Sequence, residues 1–135
     1  MSDFVSALKK SSDFVSLNGA TQQEIEDAEK ELSLQFAPEF KEYLRECGVA
    51  SADGHEFTGI TTSKRLNIID VTKNAREKNS SVPGNLYVVE ELLIDHITIW
   101  QAEDGSVFQS VSNGDPEKIC DSLIDYLNGG TILNQ

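Results

Sequence analysis

The chain has 135 residues, 39% of them apolar, with 23 acidic against 11 basic side chains and a formal charge of −12. That length fits one domain with a single packed core, so a single domain over 1–135 is expected. The acidic balance argues against binding a nucleic-acid backbone or an anionic membrane, and favours solubility or a basic partner.

The first segment, Met1 to Leu17, is interrupted by Asp3, Lys9, Lys10 and Asp13, so it lacks the apolar stretch of a secretory leader. Its Phe4, Val5 and Leu8 spacing predicts a short amphipathic helix. No apolar run approaches the ~20 residues of a membrane span, and a cytoplasmic location is expected. The two cysteines are too few for a disulfide framework, and both lie on apolar faces of predicted helices. Buried free thiols are expected.

Thr21 to Gly48 carries the clearest local signals. Thr21 with Glu24 forms a capping-box pattern, and Ile25, Ala28 and Leu32 then make one apolar stripe of a helix whose outer face is acidic. Pro38 suits a first helical turn, Phe40, Tyr43, Leu44 and Cys47 follow at helical spacing, and Gly48 supplies a stop. Val49 to Gly54 reads as a loop, His55 to Ile60 as a short strand, and Thr61 to Arg65 as a connection. For Leu66 to Lys78 the residues leave two readings open. Ile68, Ile69 and Val71 favour a strand, while Asp70 can cap a helix running through Ala75 and Arg76.

Asn79 to Gly84 is rich in turn formers and is expected to be an exposed loop, followed by a buried strand at Leu86 to Val89. His96 to Gln101 and Val107 to Val111 are β-rich runs on either side of Asp104-Gly105, which predicts a hairpin. Asp115 before Pro116 reads as the cap of a last helix carrying Ile119, Leu123, Ile124 and Leu127, stopped at Asn128-Gly129-Gly130. The element order implies an α+β fold with a mainly antiparallel sheet of about four strands or more and helices on one face.

The order of these residues resembles the SUKH superfamily, also called the SMI1/KNR4 family. The matching positions in the opening are Glu24, Ile25, Glu29, Leu32, Phe36, Pro38, Phe40, Tyr43, Leu44 and Gly48. The likeness continues through His55-Glu56-Phe57-Thr58-Gly59-Ile60, Asn85-Leu86-Tyr87-Val88-Val89 and Asp104-Gly105-Ser106-Val107-Phe108. Two positions depart from the family pattern: Ser33 stands where the family often has Gly, and the proline of Ala37-Pro38 is moved by one place. The resemblance implies an SMI1/KNR4-like fold and favours the helical reading of 66–78. It also implies a non-enzymatic protein-binding role. Bacterial members commonly neutralise a toxin, often a nuclease, as immunity proteins, whereas fungal members act as regulatory scaffolds or adaptors.

Catalytic constellations are weak in this sequence. The two histidines and two cysteines lack metal-ligand spacing, so neither a metal nor a cofactor is expected. Cys47 with His55 or His96 is the only thiol–imidazole pairing on offer, and a Cys on an apolar helical face is normally core. No glycine-rich phosphate loop occurs.

No Lys or Arg lies between Lys78 and Lys118, a stretch that includes Glu90, Glu91, Asp95, Glu103, Asp104, Asp115 and Glu117. A solvated acidic surface and a partner site both fit that gap. Read as a partner site for a basic toxin, the candidate residues are Glu90, Glu91, Asp95, Glu103 and Asp104, with Glu56 and Trp100 added. Trp100 also reads as a half-buried ring at the core edge.

Overall fold

The computed structural model describes residues 3–92, 96–112 and 114–129. Along the chain these form α1 (Asp3–Lys10), β1 (Val15–Ser16), α2 (Gln22–Leu32), α3 (Pro38–Cys47), β2 (Ala50–Ala52) and β3 (His55–Glu56). Then follow α4 (Ile68–Lys78), β4 (Tyr87–Leu92), β5 (Ile97–Gln101), β6 (Val107–Val111), β7 (Glu117–Cys120) and α5 (Leu123–Leu127). The strands make two antiparallel sheets, β1-β2-β3 and β4-β5-β6-β7, in an α+β arrangement.

The helices start and stop where local chemistry directs. Thr21 Oγ1 accepts the Glu24 amide at 3.1 Å and Glu24 Oε1 accepts the Thr21 amide at 2.9 Å, which completes the expected capping box of α2. The helix ends on Ser33, whose φ of 56° is the left-handed conformation that glycine adopts most readily. Pro38 occupies the first turn of α3, and Phe40, Tyr43, Leu44 and Cys47 are all buried along it. Residues 66–78 are settled as helix from Ile68, but the cap is Asn67 and not Asp70. Asn67 Oδ1 accepts the Ile69 amide at 2.9 Å.

The expected loop at Val49–Gly54 is instead half of a hairpin. Ala50–Ala52 pairs with His55–Glu56 around Asp53-Gly54, and with β1 on its other side. Both turn residues have positive φ, 53° and 78°, the pattern of a two-residue turn that matches strand twist. The strand expected over His55–Ile60 accordingly ends at Glu56.

The closing helix also needs correction. Asp115-Pro116 does not cap it. Glu117–Cys120 is an edge strand paired with β6, and α5 begins only at Leu123. Its true cap is Ser122, whose Oγ accepts the Asp125 amide at 3.2 Å, assisted by Glu39 Oε1 on the Leu123 amide at 2.8 Å. Pairing with β6 supplies the backbone of 117–120 with partners that a short helix there would have to find internally.

The four-stranded sheet separates two apolar clusters. The larger joins α1, α2, α3 and α5 to one face through Tyr87, Val89, Ile97, Ile99 and Val107. On the opposite face Val71 and Ala75 of α4 pack with Val88 and Trp100. The helical layer expected on one face is therefore present, and α4 adds a partial second layer. Along β4 the register shifts between Val88 and Glu90, so that Val88 pairs with Trp100 and Glu90 with Ile99. This bulge turns Glu90 to the face of the main core, away from that of Val88.

Candidate functional site

The acids of the strand half fall in three different environments. Glu90 is inside, with 2% of its surface exposed. Its Oε1 accepts from His55 Nδ1 at 2.9 Å and from the Tyr126 hydroxyl at 2.5 Å, and its Oε2 accepts the Glu56 amide at 3.0 Å. Burial and the Glu90 charge together push the Tyr126 hydroxyl far above its ordinary pKa. The His55 ring stacks on Phe57 at 5.5 Å and meets Tyr126 edge-on at 5.3 Å. A carboxylate so engaged belongs to the interior.

Glu91, next in sequence, points the other way and pairs across the strand with Thr98. It stands on the wall of a groove with Lys78, His96, Thr98 and Ser110. Partial desolvation there raises its carboxyl pKa, an effect that nearby Lys78 opposes. Trp100 forms the floor of this groove. It is 1% exposed, deeper than a core-edge ring, and its indole N–H donates to Ser110 Oγ at 2.9 Å. Asp95 lies outside the described residues.

Glu103 and Asp104 are exposed on the β5–β6 turn. Asp104 Oδ1 accepts the Ser106 amide at 2.9 Å, which holds its pKa below the usual carboxylate range. A Cβ at Gly105 in this turn would lie 3.2 Å from the Asp121 carbonyl, so the turn sits against the β7–α5 connection. That contact brings in Asp121, which lies beyond Lys118 and so outside the cation-free stretch, and Asp125 follows it in the first turn of α5. Both are exposed, and Lys118 Nζ pairs with Asp121 at 2.7 Å. Asp115 and Glu117 are exposed where the chain enters and runs along β7.

Glu56 is exposed elsewhere, on β3, and its charge is compensated by Arg65, whose guanidinium donates to both oxygens at 2.5 and 2.9 Å. Arg65 holds the Glu56 carboxyl below its ordinary pKa. The structure thus sets the Glu103-Asp104 turn against the β7–α5 connection that carries Asp121 and leads to Asp125, and leaves Glu56, Glu90 and Glu91 apart from it.

Neither cysteine is activated as a nucleophile. Burial raises the thiol pKa of Cys47, and that of Cys120 to about 11, the reverse of what a nucleophilic cysteine needs. His55 spends Nδ1 on Glu90. Among the described residues no group of three or more His, Cys, Asp or Glu is placed to hold a metal ion. No helix among them is long and apolar enough to cross a membrane.

A crystal structure of a protein from Pseudomonas syringae pv. tomato superposes with a TM-score of 0.74 over 95% of this chain and 96% of its own, at 16% sequence identity. That likeness is one of fold. Among curated proteins none matches the chain. The sequence pattern of the SUKH group described as SMI1-KNR4 cell-wall (SUKH_5) matches residues 1–131, and the chain belongs to the SUKH, or SMI1/KNR4, family.

Proposed function

We propose that this protein is a non-enzymatic immunity protein that binds a basic cognate toxin, of which a nuclease is the leading candidate, and neutralises it. Family membership supports a protein-binding module. The observation that carries the finer reading is the set of exposed carboxylates at the β5–β6 turn and the start of α5, Glu103, Asp104, Asp121 and Asp125, where Lys118 is the only Lys or Arg after Lys78. A surface of predominantly one sign, here with Lys118 as a cation among the acids, steers an oppositely charged partner and can occupy the positions that phosphates take on a nuclease. We place the binding surface at the turn and the α5 end, since Glu91 and Trp100 border a separate groove, Glu56 lies apart on β3 and Glu90 is interior.

The test is co-expression with the product of a toxin gene encoded beside this one. Rescue of growth together with co-purification is expected, and a variant carrying E103K, D104K and D121K should keep its circular dichroism spectrum while losing rescue. Absence of both rescue and co-purification removes the immunity reading. A second reading, a regulatory adaptor, is favoured by the SMI1-KNR4 cell-wall description of the matching group. It expects stable association with a cellular protein and no toxin encoded beside the gene.

A further inference from the structure

Glu90 is a buried carboxylate whose only ion-pair partner among the described residues is His55. The remaining donors to it, the Tyr126 hydroxyl and the Glu56 amide, are neutral. Whether this interior charge is paired therefore depends on one imidazole. That imidazole is reachable by solvent, since 22% of the His55 side chain is exposed against 3% for Glu90. A buried carboxylate with a counterion and one without differ substantially in free energy, because the desolvation cost remains when the pairing is lost.

The contacts also decide what the pair holds together. His55 is in β3, Glu90 in β4 and Tyr126 in α5, three elements that meet at the Glu90 carboxylate. We propose that His55, Glu90 and Tyr126 form a proton-dependent latch: the imidazolium of His55 holds the β2–β3 hairpin and α5 against β4, and its deprotonation loosens both.

The surroundings of the imidazole favour its charged form. The Glu90 hydrogen bond raises the His55 pKa most, and the charges of Glu90 and of Asp53 in the β2–β3 turn act in the same direction, against desolvation. The other neighbours bring no cation. Glu56 of β3 faces Arg65, the Tyr43 hydroxyl of α3 is held by Thr58 and Ala50, and Phe57 and Phe4 are apolar. Cys120 of β7, near Tyr126, is an uncharged thiol over the physiological range, since burial raises its pKa to about 11. Because a carboxylate only accepts, Nδ1 must carry the hydrogen of the contact. The neutral ring can keep that hydrogen, so deprotonation weakens the latch without abolishing it.

The test is amide hydrogen exchange from pH 5.5 to 8.0, corrected for intrinsic rates, on wild type, H55Q and H96Q. The reporters are the amides of Phe57, Tyr126 and Asn128, which bond to Ala50, Ser122 and Ile124. In wild type and H96Q their protection should fall as pH rises, by up to about tenfold for each unit by which the His55 pKa exceeds that of free imidazole. Amides of α2 should not follow. In H55Q, which keeps a donor but does not titrate, the pH dependence should vanish. An NMR titration of wild type supplies a readout independent of any variant, since the chain has only two histidines. A His55 resonance titrating at or below the ordinary 6.5, or the same pH response in H55Q, would overturn the latch.

Discussion

Tyr126 on α5 and Glu90 on β4, 36 residues apart in sequence, meet in a hydroxyl-to-carboxylate hydrogen bond of 2.5 Å inside the protein. A hydrogen bond to a charged acceptor contributes about 1.5–3 kcal/mol, and a buried acceptor left short of a donor adds to the loss. Tyr126→Phe should therefore destabilise the fold by about 2 kcal/mol while leaving the ring packing against His55 and Phe57 in place. Urea denaturation measures this directly. A loss below about 0.5 kcal/mol would mean that another donor takes the place of the hydroxyl.

The imidazole on the same carboxylate makes global stability depend on pH with a definite sign. The folded-state pKa of His55 stands above the ordinary 6.5. Its contribution is therefore fully present below about 6.5 and is lost as pH rises through the folded value. The urea midpoint should be lower at pH 8.5 than at pH 6, and in H55Q this decline should be flattened. A midpoint that rises over the same interval would reverse the assignment.

These interactions mark the limit of what the sequence discloses. The capping box at Thr21, the apolar stripes of α2 and α3 and the Asp104-Gly105 hairpin are local signals, and each is visible within a few residues. Asp53-Gly54 carries the same hairpin signal as Asp104-Gly105, but the strands beside it are only three and two residues long, too short to show alternation. The inward turn of Glu90 comes from a bulge defined by the register of β4 on β5, a pairing that no local pattern encodes. Charge counting along the chain therefore groups Glu90 with Glu103 and Asp104, from which the fold separates it. It does not reach Asp121, which joins the turn only through the packing of the β5–β6 turn on the β7–α5 connection.

Ser33 shows a departure from the family pattern with a measurable cost. It holds φ at 56° at the end of α2, is exposed, and makes no side-chain hydrogen bond among those described that would offset the strain. A non-glycine residue in this conformation costs about 1–2 kcal/mol, and glycine loses part of that advantage to its greater freedom when unfolded. Ser33→Gly should stabilise the protein by up to about 1 kcal/mol, or a few degrees in Tm. A lower Tm would show that the serine side chain contributes something the backbone geometry does not reveal.

Gly59 should be far less tolerant, and for reasons of space alone. A Cβ on it would lie 1.8 Å from the Gly48 carbonyl oxygen and 2.9 Å from the carbonyl carbon, both backbone atoms. The same carbonyl accepts the Ile60 amide at 3.0 Å, while the Gly59 amide and carbonyl bond to Leu66 and Ile68 at 2.9 and 2.8 Å. The segment after β3 is thus fastened on both sides, between the end of α3 and the start of α4, and cannot move away without breaking hydrogen bonds. Gly59→Ala should cost about 3 kcal/mol or more, at or beyond the upper range for overpacking. Gly84 provides the control, since a Cβ there meets nothing within 4 Å, and Gly84→Ala should stay within about 0.5 kcal/mol of wild type. Equal stability of the two variants would show that the crossing of Gly59 over Gly48 can relax, and that the pairing of these two glycines is not what limits the packing of α3 on the chain beyond β3.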